Sequence, residues 1–514
     1  MTHHPRPNDR LILPLLVADR ARTTPEAPFL IDVGGDEYSY ARVHRESLRW
    51  AAALHQHGVR RGDRIAVMVP TSADSVLPWL GAAHLGAINV PLNTSYRGAL
   101  LEHALRLTAP SLLVIDARLL GSLSTVDSAV VPPLVVRVVD GAATDAPSIA
   151  DFLATGATQE QPVLHDPVWS DTATLMFTSG TTGPSKAVVM PWLHLHQSSE
   201  WVWQTRDAGP GDRNYIPWPT NHISGVGGVY AMAIVGGAAV LRERWSTTRF
   251  MDDVYDHRCT MTTLMGAMAD YVDHLDLPAD RGPCPLERIF VAPVTARTQP
   301  LMDRLGAVYC TDYNATELSG PIVSHHHDPV PVGSAGLARP GVELRIVDAD
   351  GRDLPTGQPG ELLVRTPDSA AMNNGYWAMP EATEKAWQGG WFHTGDLLRT
   401  DADGYFYYVG RMKDVIRVRG ENVSAHELEM VVNGIAGVRE SAAIGEPDPV
   451  NEENIVLHVV TTPDGPSPEE LLASCRELLP RFMVPQRIVL ADDLPKTPTG
   501  KVQKELLRSA HSPQ

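Results

Sequence analysis

Apolar positions along the chain alternate between two textures. Trp50 to His57 carries a helix-like cluster followed by the strand-like run Arg64 to Val69, and Leu101 to Leu107 is followed in the same way by Leu112 to Ile115. Helix followed by buried strand predicts a layered α/β architecture, and the alternation continues past Leu286. Ala173 to Phe177 and Ala187 to Met190 read as two strands with a glycine-rich turn between them. From Gly341 the pattern shortens to VELRIV, DADGRD and GELLVRT, which predicts a small β-barrel-like subdomain. A boundary is expected at Gly410. Beyond it come VIRVRG, a helix from Ala425 to Asn433, a strand around Asn454 to Val460 and a helix from Ser467 to Leu478, an α+β unit of about 100 residues. The fold expected is therefore α/β, with a large N-terminal domain over 1–410 and a small C-terminal domain over 411–514.

The uncharged stretch Ile223 to Leu241 is long enough on paper to span a bilayer, which takes about 20 residues. Gly225, Gly227, Gly228, Gly236 and Gly237 speak against that, and the last two predict a break between a buried helix and a strand from Ala238 to Leu241. At 514 residues two or more domains are expected, and 43% hydrophobic with 20% charged residues describes a globular chain rather than a disordered one. Lys plus Arg number 43 against 61 Asp plus Glu, a net charge of -18 that repels nucleic acid. Anionic ligands must then be held by placed backbone N–H groups, a few cations and a metal ion. Cys259, Cys284, Cys310 and Cys475 are far apart without CxxC spacing, which fits a reducing compartment. The start, MTHHPRPNDR, has no apolar signal core, so a cytoplasmic location is expected. The run His325-His326-His327 could bind a metal but reads better as a polar loop, since no matched ligands lie near it.

Between the two strands lies Thr178 to Ala187, TSGTTGPSKA, small and hydroxylated residues with one lysine. Such a turn leaves backbone N–H groups free for phosphate oxygens, with Lys186 to neutralise them. It is not a Walker loop: the lysine comes three positions after the second glycine, Ala187 follows it, and the loop joins two strands. Further along stand Pro217 to Gly225, Tyr313 to Glu317, Gly395-Asp396, Gly410 to Asp414, Gly420 to Asn422 and PKTPTGK at Pro495 to Lys501. With these blocks, in this order and over nearly its whole length, the chain resembles the adenylate-forming superfamily of acyl-CoA synthetases, luciferases and peptide-synthetase adenylation domains, whose loop reads TSGTTGxPKG.

The resemblance implies a two-step reaction, in which a carboxylate attacks the α-phosphate of ATP and the CoA thiol then displaces AMP from the acyl-AMP. It implies a nucleotide site built from Thr178, Ser179, Gly180, Thr181, Thr182, Gly183, Ala187, Asp312, Tyr313, Asn314 and Thr316, with Tyr313 stacked on adenine and Thr316 at the α-phosphate. Glu317 would hold Mg2+. Asp396 would accept hydrogen bonds from the ribose hydroxyls, with Arg411 assisting. Lys501 would be the catalytic lysine, joined by Lys186 and by His222 at the junction of acyl and pantetheine sites. Lys413 matches the hinge about which the family's C-terminal domain moves, and Arg419, Gly420, Glu421 and Asn422 would then face CoA.

By the same resemblance, Trp218, Gly225, Gly228, Ala292, Pro293, Ala315 and Gly320 would line the acyl pocket. Apart from Trp218 they are small, which predicts a bulky hydrophobic acid, aryl, terpenoid or polycyclic. No aspartate follows His222, which disfavours amino acids. Two positions depart from the family pattern: Ala187 where the loop has glycine after its lysine, and Asn314 where YGxTE has glycine. If Ala187 crowds the carboxylate and ATP, the enzyme would only thioesterify an acyl-AMP supplied by a separate adenylating partner enzyme. Loading of a carrier-protein thiol in place of CoA shares the first step, and a non-catalytic binding protein would keep the fold without the chemistry.

Overall fold

The computed structural model describes residues 7–138, 146–156, 162–178, 185–265, 267–418, 421–448, 452–497 and 500–509. The chain forms two compact units, Met1–Glu343 with Arg365–Gly390, and Leu344–Val364 with Trp391–Gln514.

The first unit contains two sheets of the kind the helix–strand alternation predicts. One orders the strands Leu134–Val138, Leu112–Asp116, Arg64–Met68, Ile88–Pro91, Thr172–Phe177 and Ala187–Pro191, parallel except for the last pair. LLVID is buried at every position because helices cover both faces, so its sequence reads as an unbroken apolar run. The other sheet orders Val308–Cys310, Arg288–Ala292, Met261–Met265, Arg213–Ile216, Ala238–Leu241, Pro28–Asp32 and Glu37–Ser39. Ile216, Phe290 and Cys310 belong to one apolar cluster, while Tyr215, Ile289 and Val291 on the opposite face belong to another.

The uncharged stretch resolves as the sequence predicts. Helix Ile223–Val235 is buried on nearly all sides, Gly236 ends it at φ 78°, and strand Ala238–Leu241 follows. Among the described residues no helix is long and apolar enough to cross a membrane. All four cysteines are free thiols.

In the second unit, Gly360–Arg365, Trp391–Thr400 and Phe406–Arg411 pair antiparallel in that order. A further sheet orders Glu421–Ser424, Val415–Val418, Glu452–Thr461 and Val438–Asp448, with Arg487–Leu490 added in parallel beside Glu452–Thr461. Helices Ala425–Asn433 and Pro468–Leu478 form at the predicted places, the second started by a capping box of Ser467 and Glu470. The short helix Lys504–Ser509 is tied down by charge: Lys504 Nζ lies 2.7 Å from Glu429 Oε1, and Arg508 Nη2 lies 3.2 Å from Asp414 Oδ1.

Candidate active site

The phosphate-type loop is a hairpin tip. Phe177 pairs with Ala187, the Thr178 N–H donates to the Lys186 carbonyl at 2.9 Å, and the Lys186 N–H donates to Thr178 Oγ1 at 3.3 Å. Ser179, Gly180, Thr181, Thr182 and Gly183 lie outside the described residues. The hairpin's second strand is held on its outer edge as well: the Val189 N–H donates to the Gly375 carbonyl and the Trp377 N–H to the Ala187 carbonyl, at 2.9 and 2.8 Å.

That outer edge supplies a residue which inspection of the sequence passed over. Tyr376 sits beside Val188, its ring 4.6 Å from Lys186 Nζ, and its hydroxyl donates to Glu317 Oε1 at 2.9 Å. Lys186 and Glu317, 131 positions apart by their numbers, are thus joined through one buried tyrosine. Nothing in NNGYW demanded this reading, although an aromatic after a glycine turn was the available signal. Asn373, also buried, donates through Nδ2 to the Glu317 carbonyl at 2.8 Å, which fixes the backbone of that residue.

Glu317 is half-buried, and its Oε2 makes no hydrogen bond among the described residues. A carboxylate oriented from one side with the other oxygen uncommitted fits Mg2+, which binds one or two carboxylates together with substrate phosphates.

Both departures from the family motif have structural answers. Ala187 is 0% exposed, and its methyl belongs to an apolar cluster with Leu175, Val90 and Leu92. Alternate residues of a strand point to opposite faces, so Lys186 and Ala187 leave the hairpin in opposite directions. Ala187 is also absent from the residues with positive φ, so no glycine is needed there. The expectation that the Ala187 side chain crowds the nucleotide is corrected: that side chain is core. Asn314 likewise has ordinary φ, and its Oδ1 accepts from the N–H groups of Ala315 and Gly320, both at 3.0 Å. The asparagine closes the loop that carries Thr316 and Glu317. From below, His194 Nε2 meets the Leu318 carbonyl at 2.7 Å, and Arg339 reaches the Gly320 carbonyl and Ser319 Oγ at 3.0 and 3.1 Å. Burial holds His194 near a pKa of about 4, so it is neutral and donates through Nε2.

His222 caps helix Ile223–Val235: its Nδ1 accepts from the Ser224 N–H at 3.2 Å, which leaves the proton of the neutral ring on Nε2. Trp218 is buried, with Nε1 3.3 Å from the Thr263 carbonyl. The helix glycines do not open a cavity. A Cβ on Gly225 would stand 2.2 Å from the Pro219 carbonyl oxygen, one on Gly227 2.7 Å from the Trp203 ring, and one on Gly228 3.0 Å from Ile216. Gly225 and Gly228 therefore serve close packing, and the inference of a roomy pocket from them is corrected. Ala292, Pro293 and Ala315 remain as small side chains, none of them fully buried, and Gly320 at φ 67° is the one position here whose backbone calls for glycine.

In the second unit Asp396 is 4% exposed and paired in register with Arg411, whose Nε lies 3.0 Å from Oδ1. Lys501 is exposed at a tight turn in which the Thr497 N–H donates to the Lys501 carbonyl at 2.8 Å. Lys413 lies in the turn Met412–Asp414 and Glu421 and Asn422 in a strand, but their side chains, like Arg419 and Gly420, lie outside the described residues. His325 and His326 bond to Gln204 and Asp207, and no metal-holding group of His, Cys, Asp and Glu occurs among the described residues.

A hairpin that ends on a lysine and meets, through a tyrosine, a carboxylate on a neighbouring loop sets a cation for phosphate beside a carboxylate able to hold a divalent metal. The chain belongs to the AMP-binding enzyme family: residues 17–377 match that family, and residues 427–501 match the AMP-binding enzyme C-terminal domain. It is 30% identical to a crotonobetaine/carnitine–CoA ligase of Salmonella typhimurium, over 92% of this chain and 93% of that one. It is also 30% identical to a feruloyl-CoA synthase of an Amycolatopsis species, over 95% and 97%. A long-chain-fatty-acid–CoA ligase of Mycobacterium tuberculosis matches at 28% over 97% and 98%. Among solved structures, an anthranilate CoA ligase in complex with anthranoyl-AMP aligns with a TM-score of 0.86 at 25% identity, covering 96% of each chain. O-succinylbenzoate CoA synthetase from Bacillus subtilis, in complex with ATP and magnesium, aligns at 0.81 and 25% identity, over 96% and 98%. The protein is an AMP-forming acyl-CoA synthetase that works through an acyl-adenylate, with ATP and CoA as the family's co-substrates.

Proposed function

We propose that this enzyme carries out both half-reactions on a bulky, largely apolar carboxylic acid: acid and ATP give acyl-AMP and pyrophosphate, then acyl-AMP and CoA give acyl-CoA and AMP. The observation that carries the reading is the Lys186–Tyr376–Glu317 chain, because it assembles the cation and the metal-binding carboxylate that adenylation needs. With Ala187 in the core and Asn314 bonded into its loop, the two motif departures give no reason to restrict the enzyme to thioesterification.

In the first step Lys186 and the backbone N–H groups of the hairpin loop hold the phosphates, and Tyr313 and Thr316 place adenine and α-phosphate. Glu317 would hold Mg2+, which would supply positive charge against the phosphates. Lys501 stabilises the negative charge that builds up between carboxylate and α-phosphate. Asp396, oriented by Arg411, receives the ribose hydroxyls. For the second step the C-terminal domain, residues 411–514, turns about Lys413 and brings Arg419 to Asn422 toward the pantetheine, with His222 at the junction. The acid is apolar in bulk because Trp218, Ala292, Pro293, Ala315 and Gly320 offer it little polar surface; named relatives handle acids as different as feruloyl and long-chain fatty acyl groups.

Candidate acids offered with ATP and Mg2+, and their adenylates offered separately with CoA or holo-carrier protein, test the reading. Pyrophosphate release together with CoA thioester is expected. Thioester from adenylates alone, or transfer only to the carrier, would overturn it.

A further inference from the structure

Helix Gly98–Thr108 packs against the phosphate hairpin. Its Leu101, Ala104 and Leu105 are buried in the same apolar cluster as Leu175 and Ala187, with Tyr96, Phe177 and Trp377 packed on it. On the flank of that buried face, half-buried His103 places Nε2 2.8 Å from the Ser185 carbonyl oxygen. A carbonyl only accepts, so the imidazole donates. Tyr96, in the segment leading into the helix, meets the side chain of the same residue. Burial pushes the Tyr96 hydroxyl above its ordinary pKa, and a side-chain hydrogen bond with Ser185 works against that rise. The Tyr96 ring is steadied by Phe177 at the end of the hairpin's first strand, edge to face with centroids 6.5 Å apart.

Three successive carbonyls on the lysine arm thus take donors from three places in the chain. Ser185 is held by His103, Lys186 by the Thr178 N–H at 2.9 Å, and Ala187 by the Trp377 N–H at 2.8 Å. The last two donors are backbone groups, which almost any sequence supplies. His103 is a side chain, so here the residue type decides whether the arm is held. Ser185 is also a third departure from the motif TSGTTGxPKG, which has proline immediately before its lysine. A proline ring fixes φ and stiffens the chain entering the lysine, whereas serine leaves that torsion free. His103 and Tyr96 restrain the same residue from outside.

We propose that His103 is a positioning residue for Lys186, taking over through the Ser185 carbonyl the restraint that a proline at position 185 would supply. This rests on the acyl-adenylate reading above and deepens it, by naming what sets the phosphate-binding cation in place. His103 touches no substrate; it acts through the arm. Its effect is therefore confined to ligands that reach Lys186, and AMP brings only the α-phosphate, which Thr316 places.

Calorimetry with α,β-methylene-ATP and Mg2+, and separately with AMP, tests this without requiring turnover or knowledge of the acid. His103→Ala is expected to bind the ATP analogue about 5-fold more weakly than the wild type and AMP within about 2-fold, the scale of one half-buried hydrogen bond. His103→Asn, whose amide ends short of the carbonyl, should show the same split and serves where alanine costs the fold. His103→Gln, whose amide nitrogen can take the place of Nε2, should bind both nucleotides within about 2-fold of wild type. Adding Ser185→Pro to His103→Ala should shrink the loss to within about 2-fold, since the ring restores the missing restraint. A merely structural histidine would lower the melting temperature and both affinities together. Equal losses for the two nucleotides, no loss for the ATP analogue, a His103→Gln as weak as His103→Ala, or a loss undiminished by Ser185→Pro each overturn the proposal. If the wild type itself binds neither nucleotide, the acyl-adenylate reading fails, a result distinct from a wild type that binds both.

Discussion

Tyr376→Phe removes a single hydroxyl and leaves the ring, so it separates two contacts that one residue makes. The ring keeps its place under Lys186, where a cation over an aromatic face contributes about 0.5–2 kcal/mol. What goes is the 2.9 Å hydrogen bond to Glu317 Oε1. A hydrogen bond to an ionised group is worth about 1.5–3 kcal/mol, and in this buried setting about 2 kcal/mol is a fair central figure. If that energy holds the carboxylate where the metal binds during adenylation, its loss lowers kcat/KM for pyrophosphate release by roughly 30-fold, since each 1.36 kcal/mol is a factor of ten. Thioester formation from preformed acyl-AMP and CoA needs no metal at the triphosphate and should fall less than about 3-fold, below 0.7 kcal/mol on the same scale. Raising the Mg2+ concentration should recover part of the first loss and none of the second. The two half-reactions are followed by pyrophosphate-coupled absorbance and by thioester absorbance. Equal losses in both, or an adenylation rate within 2-fold of wild type, would refute the claim that Tyr376 acts through Glu317.

Ala187→Gly should leave adenylation within about 2-fold and lower stability by about 1 kcal/mol, because glycine in a strand adds unfolded-state entropy and removes a buried methyl; a 10-fold gain in adenylation would restore the crowding interpretation. Asn314→Gly, which recreates the family motif, should slow adenylation several-fold by removing about 1 kcal/mol for each of two hydrogen bonds, read as a lower kcat with nearly unchanged KM for the acid. His84, His194, His196 and His326 are held by burial near a pKa of about 4, against 6.5 when unfolded. The unfolded chain therefore binds more protons between those values, so their contribution is complete above pH 6.5 and is lost as pH falls toward 4, by up to about 1.4 kcal/mol per pH unit per histidine. Urea denaturation at pH 7, 6 and 5 checks this, and a flat stability over that range would contradict it. Lys504→Met leaves Glu429 buried without its partner and should destabilise the C-terminal unit by about 3 kcal/mol, seen as an earlier unfolding transition.

The two α/β sheets were legible because parallel strands buried on both faces appear as apolar runs such as LLVID, and the phosphate hairpin was legible because hydroxyl residues, glycines and a lysine sit together in one turn. The helix break at Gly236 could likewise be read from local residue types. What escaped depends on direction and on distance along the chain. Whether Ala187 faces ligand or core is a matter of strand parity, which changes with a shift of one residue. The helix glycines signal small volume, but only the fold shows that Pro219, Trp203 and Ile216 already occupy it. Tyr376 becomes significant only when the chain returns to lay it beside Val188. Asn314 looked like damage to a motif, because hydrogen bonds from a side chain to its own loop leave no mark in a spacing pattern.

The two ion pairs of helix Lys504–Ser509 also bear on how the protein should be handled. A six-residue helix has little stability of its own, so its position depends on Glu429 and Asp414. Truncation just after Lys501 would keep the lysine in the chain yet strip away the anchor three residues beyond it. Preparations shortened there should lose adenylation although every motif residue remains, and an affinity tag is better carried at the N-terminus.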